Sequence, residues 1–458
     1  MTSLLLRADG GPTIGVGHVA RCLAFAEAAV ARGWTVTFAG EAAWLADRFR
    51  ALDVPVVPAA DWAADVVLVD HYGLGELPET RGRVVSMEDG TYGRRAADVV
   101  VDPNLVLAPR EPDGTGVYLG GPRYAPLRAD VVAARRARSG VPGDPPRVVV
   151  VMGGGAAADT VAAAVAALRD TGLPMSVRAI AAGEVPLPPA GPGQHFAVGP
   201  PTPELPTLFA EADLVVSAAG VTLTELCCVG APAALVQLVD NQATGYRAAL
   251  SLGLAAGLGT PADLPAASAD LRDLLSDPDR RAALAEAAAA TVDGGGVDRV
   301  LDAATLTVRE ATLADARTLL AWRNDPDTRA WSRGSQPVAA QVHESWLRRT
   351  IADPDHLLLV VERDTTPLGT VRFDRIEPGT WEVSIVVAPE HRGHGLAGRI
   401  LMVGQGALHA RVGPATLLAT VHEANTPSMA LFRRAGYHPA TRPAEPPFAV
   451  LERHSRPA

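Results

Sequence analysis

Three stretches of the chain place glycines and polar side chains where an apolar strand hands over to a helix, which is where protein backbones bind anions. The first, GPTIGVGHVARC at residues 11–22, also carries a histidine. Gly15 and Gly17 allow close approach of the backbone, and the helix expected to start near His18 offers free N–H groups and the positive end of its dipole. Such an end disfavours imidazolium, so a histidine there is suited to accept a proton as a general base. A capping or core histidine is the plainer alternative. Gly15, Gly17 and Ala20 also fit G-x-G-x-x-A, with Glu41 downstream, the outline of a dinucleotide-binding turn. Against that reading, ADGGPTI separates these glycines from the strand LLLRA, and the dinucleotide fingerprint has no use for His18.

The second stretch lies further on. VVVVMGGG sets Gly153, Gly154 and Gly155 directly after a strand, and ADLVVSAAGVTLTEL follows a strand with the small-residue turn Ser217–Gly220 and a helix bearing Thr222 and Glu225. A small-residue turn at a helix start suits a diphosphate, and a carboxylate one turn in can accept from two vicinal ribose hydroxyls. T-x-x-E is equally the spacing of a capping box. The third stretch, VSIVVAPEHRGHGLAGRIL at 383–401, runs from Val387 through Arg392, Gly393, His394, Gly395, Leu396 and Ala397 into another helix.

The surrounding pattern supplies the elements that position these turns. LLLRA, WTVTFAG, DVVLVD, RVVSMED and DVVVDP alternate with Ala-rich helical runs, the mark of a parallel sheet covered on both faces. RSGVPGDPPR at 138–147 interrupts the alternation, and a second unit of the same kind follows. Ligands of such sheets bind at the carboxyl ends of the strands, so two units side by side predict a cleft site. From about residue 305 the pattern changes to a helix and then successive strands, LLLVVER, GTVRFDRI and WEVSIVVAP, which reads as an α+β domain. The expected domains are residues 1–140, 146–303 and 305–458.

Composition narrows the chemistry. A net charge of −10 disfavours a general grip on nucleic acid. The chain has no lysine, so Schiff-base and Walker A chemistry are excluded. Three cysteines, Cys22, Cys227 and Cys228, form no zinc or disulfide pattern, and no apolar run approaches the roughly 20 residues of a membrane span. The early charge at Arg7 is too soon for a signal-peptide core. A cytoplasmic protein without a metal or a membrane partner is expected.

RADGGPTIGVGHVARCLAFAEA, with Arg7, Asp9, Gly15, Gly17, His18 and Arg21, resembles the UDP-sugar hydrolases of pseudaminic acid biosynthesis, relatives of the inverting GT-B glycosyltransferases. The likeness continues through VDHYGL (Asp70, Tyr72), MEDGTYGRRAADVVVDPN and YLGGPRYAPLR, and covers roughly the first 300 residues. It implies two Rossmann-like lobes in a GT-B arrangement and a UDP-sugar substrate. The implied base is His18, with Tyr72 and Asn241 orienting sugar or water. Gly153, Gly154, Gly220, Thr222, Glu225, Asn241 and Gln242 are the implied contacts to UDP and sugar. The pattern departs at Glu88 and Asp89, where the family tends to have two aspartates, and at Met152, where it has serine.

The third stretch, with R-x-x-G-x-A at Arg392–Ala397 and LLATVHEANTPSMALFRRAGY carrying Asn425, Ser428 and Gly436, resembles the GNAT N-acetyltransferases. The resemblance implies acetyl-CoA as cosubstrate and an amine acceptor. Many relatives have tyrosine where this chain has Phe432, which cannot donate a proton, so Ser428 or water must take that role if the domain is active. Glu382 is a candidate base through water, although a strand carboxylate on the solvent face is the commoner case. Trp322, Trp331 and Trp346 are candidates for an acceptor wall, and His343, His356, His391, His409 and His422 show no ligand spacing. The combined expectation is an enzyme that N-acetylates a UDP-linked 4-amino sugar and releases UDP from the diacetamido product. A glycosyltransferase with an accessory acetyltransferase domain, a nucleotide-sugar binding module and, last, an oxidoreductase are the competing readings.

Overall fold

The computed structural model describes residues 2–11, 17–42, 45–153, 158–442 and 445–454. Gly15 and Gly154, both expected at the ligand, lie outside them.

Short Val- and Leu-rich segments build the first sheet: β1 (Ser3–Arg7), β2 (Thr35–Ala39), β3 (Val56–Val57), β4 (Val66–Val69), β5 (Arg83–Met87), β6 (Val99–Asp102) and β7 (Val117–Gly120). They pair in the order β3-β2-β1-β4-β5-β6-β7, all parallel. Every residue of β4 and β6 is buried, as the continuous apolar runs require of a sheet covered on both faces. Helix α1 (Gly17–Ala31), rich in alanine, lies close against this sheet, and α2 (Ala46–Ala51) follows β2. Gly40, at φ +132°, turns the chain off β2 so tightly that a Cβ would fall 1.9 Å from the Ala8 carbonyl oxygen.

The second sheet repeats the plan with β8 (Arg147–Val151), β9 (Met175–Ile180), β10 (Gln194–Gly199), β11 (Leu214–Ala218), β12 (Ala233–Val236) and β13 (Ala256–Gly257) in the order β10-β9-β8-β11-β12-β13, again parallel. Its helices are α4 (Ala158–Asp170), α5 (Leu205–Glu211), α6 (Thr222–Val229), α7 (Ala243–Ser251), α8 (Ser268–Ser276) and α9 (Pro278–Thr291).

Chain order and packing part company at both junctions. Helix α3 (Ala129–Ala137) precedes the Pro/Gly stretch yet packs on α5 and α6 of the second lobe, burying Val131 and Ala134 there. Helix α10 (Gly296–Ala304) follows the second lobe yet returns to α1, burying Val297, Val300 and Leu301 in the first. The boundaries near 140 and 304 therefore mark turns in the chain, whereas the cores exchange one helix each. Proline and glycine report where helices stop; they carry no information about which sheet a helix covers.

The C-terminal domain has β14 (Thr307–Glu310), β15 (His356–Arg363), β16 (Thr366–Glu377), β17 (Thr380–Val387), β18 (Thr416–His422), β19 (His438–Pro439) and β20 (Phe448–His454). The sheet order is β14-β15-β16-β17-β18-β20-β19, antiparallel except for the β17–β18 pair. Helices α11 (Ala316–Asn324), α12 (Pro326–Ala330) and α13 (Ala340–Ala352) precede β15, and α14 (Leu396–Val412) and α15 (Thr426–Arg434) flank β18. Helix α14 lies between two sheets. A Cβ on Gly404 would come 2.8 Å from Val371 in β16, and one on Gly406 would come 2.5 Å from Val117 in β7. The two glycines thus let one helix sit tight against the C-terminal domain on one side and the first lobe on the other, and the apolar core runs through both. Among the described residues no helix is long and apolar enough to cross a membrane.

Candidate functional sites

The first site gathers at the start of α1 and the carboxyl ends of β1, β4 and β5. His18, 7% exposed, has Nδ1 2.6 Å from Oδ1 of Asp70, which is fully buried at the end of β4. Arg21, one turn along α1, donates to both oxygens of the same carboxylate at 2.7 Å and lies 2.8 Å from the same imidazole nitrogen. Two donors cannot share a bond, and the carboxylate can accept from both, so the ring proton belongs on Nδ1 and is given to Asp70. Nε2, on the far side of the ring, has no partner among the described residues. Burial alone would push the Asp70 carboxyl up, but Arg21 and His18 outweigh it and hold the group at about 2.

Tyr72 stands edge-on to His18 at 4.4 Å between ring centres, and its hydroxyl donates to Asp89 at 2.6 Å. Asn104 bridges Asp89 (2.9 Å) and the buried Asp102 (2.7 Å). Burial raises the Asp102 carboxyl to about 6 against the bonds from Asn104, with Asp89 and Glu88 adding repulsion. Glu88, also pushed up by burial, is ion-paired with Arg110.

Not every expected residue is free to meet a ligand. Arg7 and Asp9 form a two-pronged pair (2.7 and 2.8 Å), and Asp9 further accepts from the Glu41 amide and from Nε2 of His71. That His71 nitrogen carries the proton, because Nδ1 accepts from the amides of Gly73 and Leu74. Arg7, Asp9 and Arg21 therefore fix the loops around His18 with their charges already matched. Asp70 and His71 lie in VDHYGL and Asn104 ends MEDGTYGRRAADVVVDPN, the stretches that carry the resemblance, which assigns none of the three a role in the site.

The second lobe meets the first at Gly17, where an added methyl would sit 3.5 Å from the side chain of Val221, immediately before α6. The starts of α1 and α6 thus face each other. Thr222 and Glu225 do not form the capping box that their spacing allows, since α6 has no side-chain cap. Glu225 instead accepts from Arg128 at 3.2 Å, and burial raises its carboxyl. Gln242 accepts from the Leu238 amide, and its Nε2 lies 3.5 Å from where a Cβ of Gly220 would be, so this residue does close over the small-residue turn. Asn241 beside it is exposed, and Gly153 holds a left-handed φ of +77° on the surface after β8.

The second site is a cavity of about 1130 Å³ in the C-terminal domain. Its cause is local. β17 pairs with β18 only from Thr380 to Glu382, and the strands then separate, leaving the β17 edge from Ser384 to Val387 facing the opening. Val387, Arg392, Gly393, Gly395, Leu396 and Ala397 line it, with Asn425 and Ser428 opposite. Gly393 (φ +79°) and Gly395 (φ +71°) adopt the left-handed turn that starts α14 without a side-chain cap, so its first N–H groups are open to an anion. His394 is exposed, and it does not line the cavity. Arg392 is committed elsewhere, donating to Asp325 (2.7 Å) and Thr328 (2.6 Å) and so tying the turn to α12. Asn425 caps α15 by accepting from the Ser428 amide at 3.1 Å.

Glu382 stands at the last position of β17 that pairs with β18 and lines the cavity, contrary to the solvent-face alternative. It accepts from Thr420 (2.6 Å) and Arg333 (2.8 Å). Phe432 lines the same cavity, while Tyr437 turns its hydroxyl to Gln405. Trp322, Trp331 and Trp346 all contribute to the wall, as do His343, His391 and His422, whose spacing gave no sign of it. His438, Glu452 and His454 bring donor atoms within 4.8 Å of one another on the β19–β20 hairpin and could hold a metal ion.

Residues 305–438 match the acetyltransferase (GNAT) domain family. No curated protein matches the chain. Solved structures similar to part of it include the spermidine N-acetyltransferase of Vibrio cholerae in complex with CoA and spermine, at 18% identity over 33% of this chain and 96% of that one, with a TM-score of 0.30. A Salmonella typhimurium protein solved with its cofactor acetyl-CoA is 18% identical over 33% of this chain and 94% of its own, at a TM-score of 0.28. A domain from Methanocaldococcus jannaschii is 18% identical over 32% and 97%, at 0.29.

Proposed function

Residues 305–438 being a GNAT acetyltransferase domain, with acetyl-CoA as its cosubstrate, we propose that the whole chain is a two-step enzyme of nucleotide-sugar metabolism. The C-terminal domain acetylates the 4-amino group of a UDP-linked amino sugar. The two preceding lobes, read as a GT-B pair, then hydrolyse the diacetamido product to UDP and free sugar with inversion, as in a pseudaminic acid type pathway.

In the first step the amine nitrogen attacks the thioester carbonyl, the carbon–sulfur bond breaks, and an amide and CoA result. Glu382, through water, takes the proton lost by the amine, and Ser428 or water protonates the departing thiolate, since Phe432 has no proton to give. The open N–H groups at the start of α14 receive the CoA pyrophosphate. In the second step a water oxygen attacks carbon 1 of the sugar from the face opposite UDP, the carbon–oxygen bond to the diphosphate breaks, and His18 takes the water proton on Nε2. The small-residue turn at Ser217–Gly220, with Gln242 over it, receives the diphosphate, and Glu225 and Thr222 meet the ribose once Glu225 turns from Arg128. The observation that carries this reading is the orientation of His18 by buried Asp70 at a helix start facing α6.

The test uses purified protein, acetyl-CoA, a UDP-4-amino sugar and heavy-oxygen water. The expected products are CoA, UDP and a diacetamido sugar with the label on its anomeric oxygen. His18→Gln should accumulate the acetylated UDP-sugar, and Glu382→Gln should stop before acetylation. Label in UDP would refute the carbon–oxygen cleavage. UDP release only in the presence of a second sugar or lipid acceptor would instead make the front lobes a glycosyltransferase.

A further inference from the structure

A second cavity, of about 360 Å³, lies where the first lobe meets the C-terminal domain, and neither reaction above uses it. Its walls come from the end of β7 and the turn after it, from the segment after α9, from the middle and end of α14, and from β20. Three guanidinium groups face it: Arg123 from the first lobe, and Arg434 and Arg453 from the C-terminal domain. Among the described residues none of the three is ion-paired. Arg123 makes one long hydrogen bond, 3.4 Å to the Ala435 carbonyl, and lies over the Tyr124 ring at 5.6 Å, while Arg453 donates to Gln405 at 2.7 Å.

The single carboxylate among the described lining residues is Asp293, and it is already spent. Arg299 binds both its oxygens, and the Gly295 amide donates to it at 3.0 Å. The wall is therefore cationic in a protein of net charge −10. The cations also act on one another. Burial, with Arg453 and Arg299 nearby, lowers the basicity of Arg123 despite the opposing influence of Tyr124 and Asp293, and burial together with Arg453 brings His409, which stacks on Tyr118, down to about 4. Two half-buried guanidinium groups, Arg123 and Arg453, and the exposed Arg434 thus line one cleft with no carboxylate partner among the described residues, and an anion would complete the set.

We propose that this junction cavity is a binding site for a small phosphorylated ligand, its phosphate group held by Arg123, Arg434 and Arg453. Planar guanidinium groups match phosphate oxygens two at a time, which suits them to this anion above a point-like chloride. Leu107, Leu408, Leu417 and the rings of Tyr118 and Tyr124 form apolar parts of the remaining wall, so an organic portion is accommodated. The volume stands near the small end of ligand pockets, too small for a whole nucleotide sugar and in proportion to a sugar phosphate. The site is separate from the acetyl-CoA cavity. Gln405 lies nine residues along α14 from Leu396, or roughly 13 Å at 1.5 Å per residue.

The test is calorimetry on the full chain with UDP and CoA present at saturation, using inorganic phosphate, ribose 5-phosphate and, as the uncharged control, ribose. One saturable site for at least one of the phosphates and none for ribose is expected. A tighter fit of ribose 5-phosphate identifies a sugar phosphate as the ligand class, and a tighter fit of the free ion identifies inorganic phosphate. Arg123→Met and Arg453→Met should each weaken binding at least tenfold. Arg434→Ala, at an exposed position where folding is not at stake, should weaken it severalfold. No saturable binding, or binding that these substitutions leave unchanged, would overturn the proposal.

Discussion

Asp70→Asn tests the organisation of the His18 site most directly. The wild-type carboxylate is wholly buried and accepts from His18 once and from Arg21 twice. Its descent from 3.8 to about 2 corresponds to roughly 2.4 kcal/mol of stabilisation. Removing one partner of a buried pair costs up to about 5 kcal/mol, because the other charge stays behind. Urea unfolding of the full chain should therefore show a loss of roughly 2 to 5 kcal/mol in the transition that the first lobe shares with the C-terminal domain. The sign in pH follows from the lowered value. This stabilisation is complete above about pH 4 and disappears as pH falls towards 2, and the Asn variant should lack that acid-side loss. Catalysis should suffer separately. An amide N–H directed at Nδ1 makes that nitrogen the acceptor and moves the ring proton to Nε2, where the base needs a lone pair. A tautomer reversed in this way in a comparable His–Asp pair costs about 10⁴ in turnover. The assay is UDP release at a temperature where circular dichroism shows the variant folded. A folded variant that retains turnover within tenfold of wild type would refute the role given to Asp70.

Asp102→Asn should act in the opposite pH range. The folded-state value of about 6 lies above the ordinary 3.8, so the wild type loses stability at this group as pH rises from about 4 to 6, by roughly 3 kcal/mol, and the variant should show a flatter profile in denaturant titrations. Gly406→Ala should cost about 1 to 3 kcal/mol through the clash with Val117, and the loss should appear in the first lobe and the C-terminal domain together, as the shared core requires. Arg392→Ala frees the turn before α14 from α12, so the KM for acetyl-CoA should rise about five- to tenfold while kcat holds, measured by thiol release.

The glycine-rich turns, the two parallel sheets and the change to successive strands near residue 305 were legible in the sequence because each is a local property. A short Val/Leu run such as VVLV, bounded by polar residues, reads from its local composition as a strand covered on both faces. R-x-x-G-x-A likewise reads as a glycine turn opening a helix, and the structure gives Gly393 and Gly395 the left-handed backbone of that turn before α14. What the sequence could not specify was pairing at a distance. Asp70 lies 52 residues from His18, and only the parallel alignment of β4 beside β1 brings its carboxylate under the start of α1. The same holds for His71, whose Nε2 reaches Asp9 across 62 residues and joins the Arg7–Asp9 pair. Which sheet α3 and α10 cover, and the seating of α14 between two sheets, depend on shape complementarity among residues far apart in the chain, as Gly406 against Val117 shows. Local backbone chemistry therefore determined the elements and their turns. Tertiary packing alone decided which charges are spent on one another and which still face an open cavity, because a charge finds its partner through space and not along the chain.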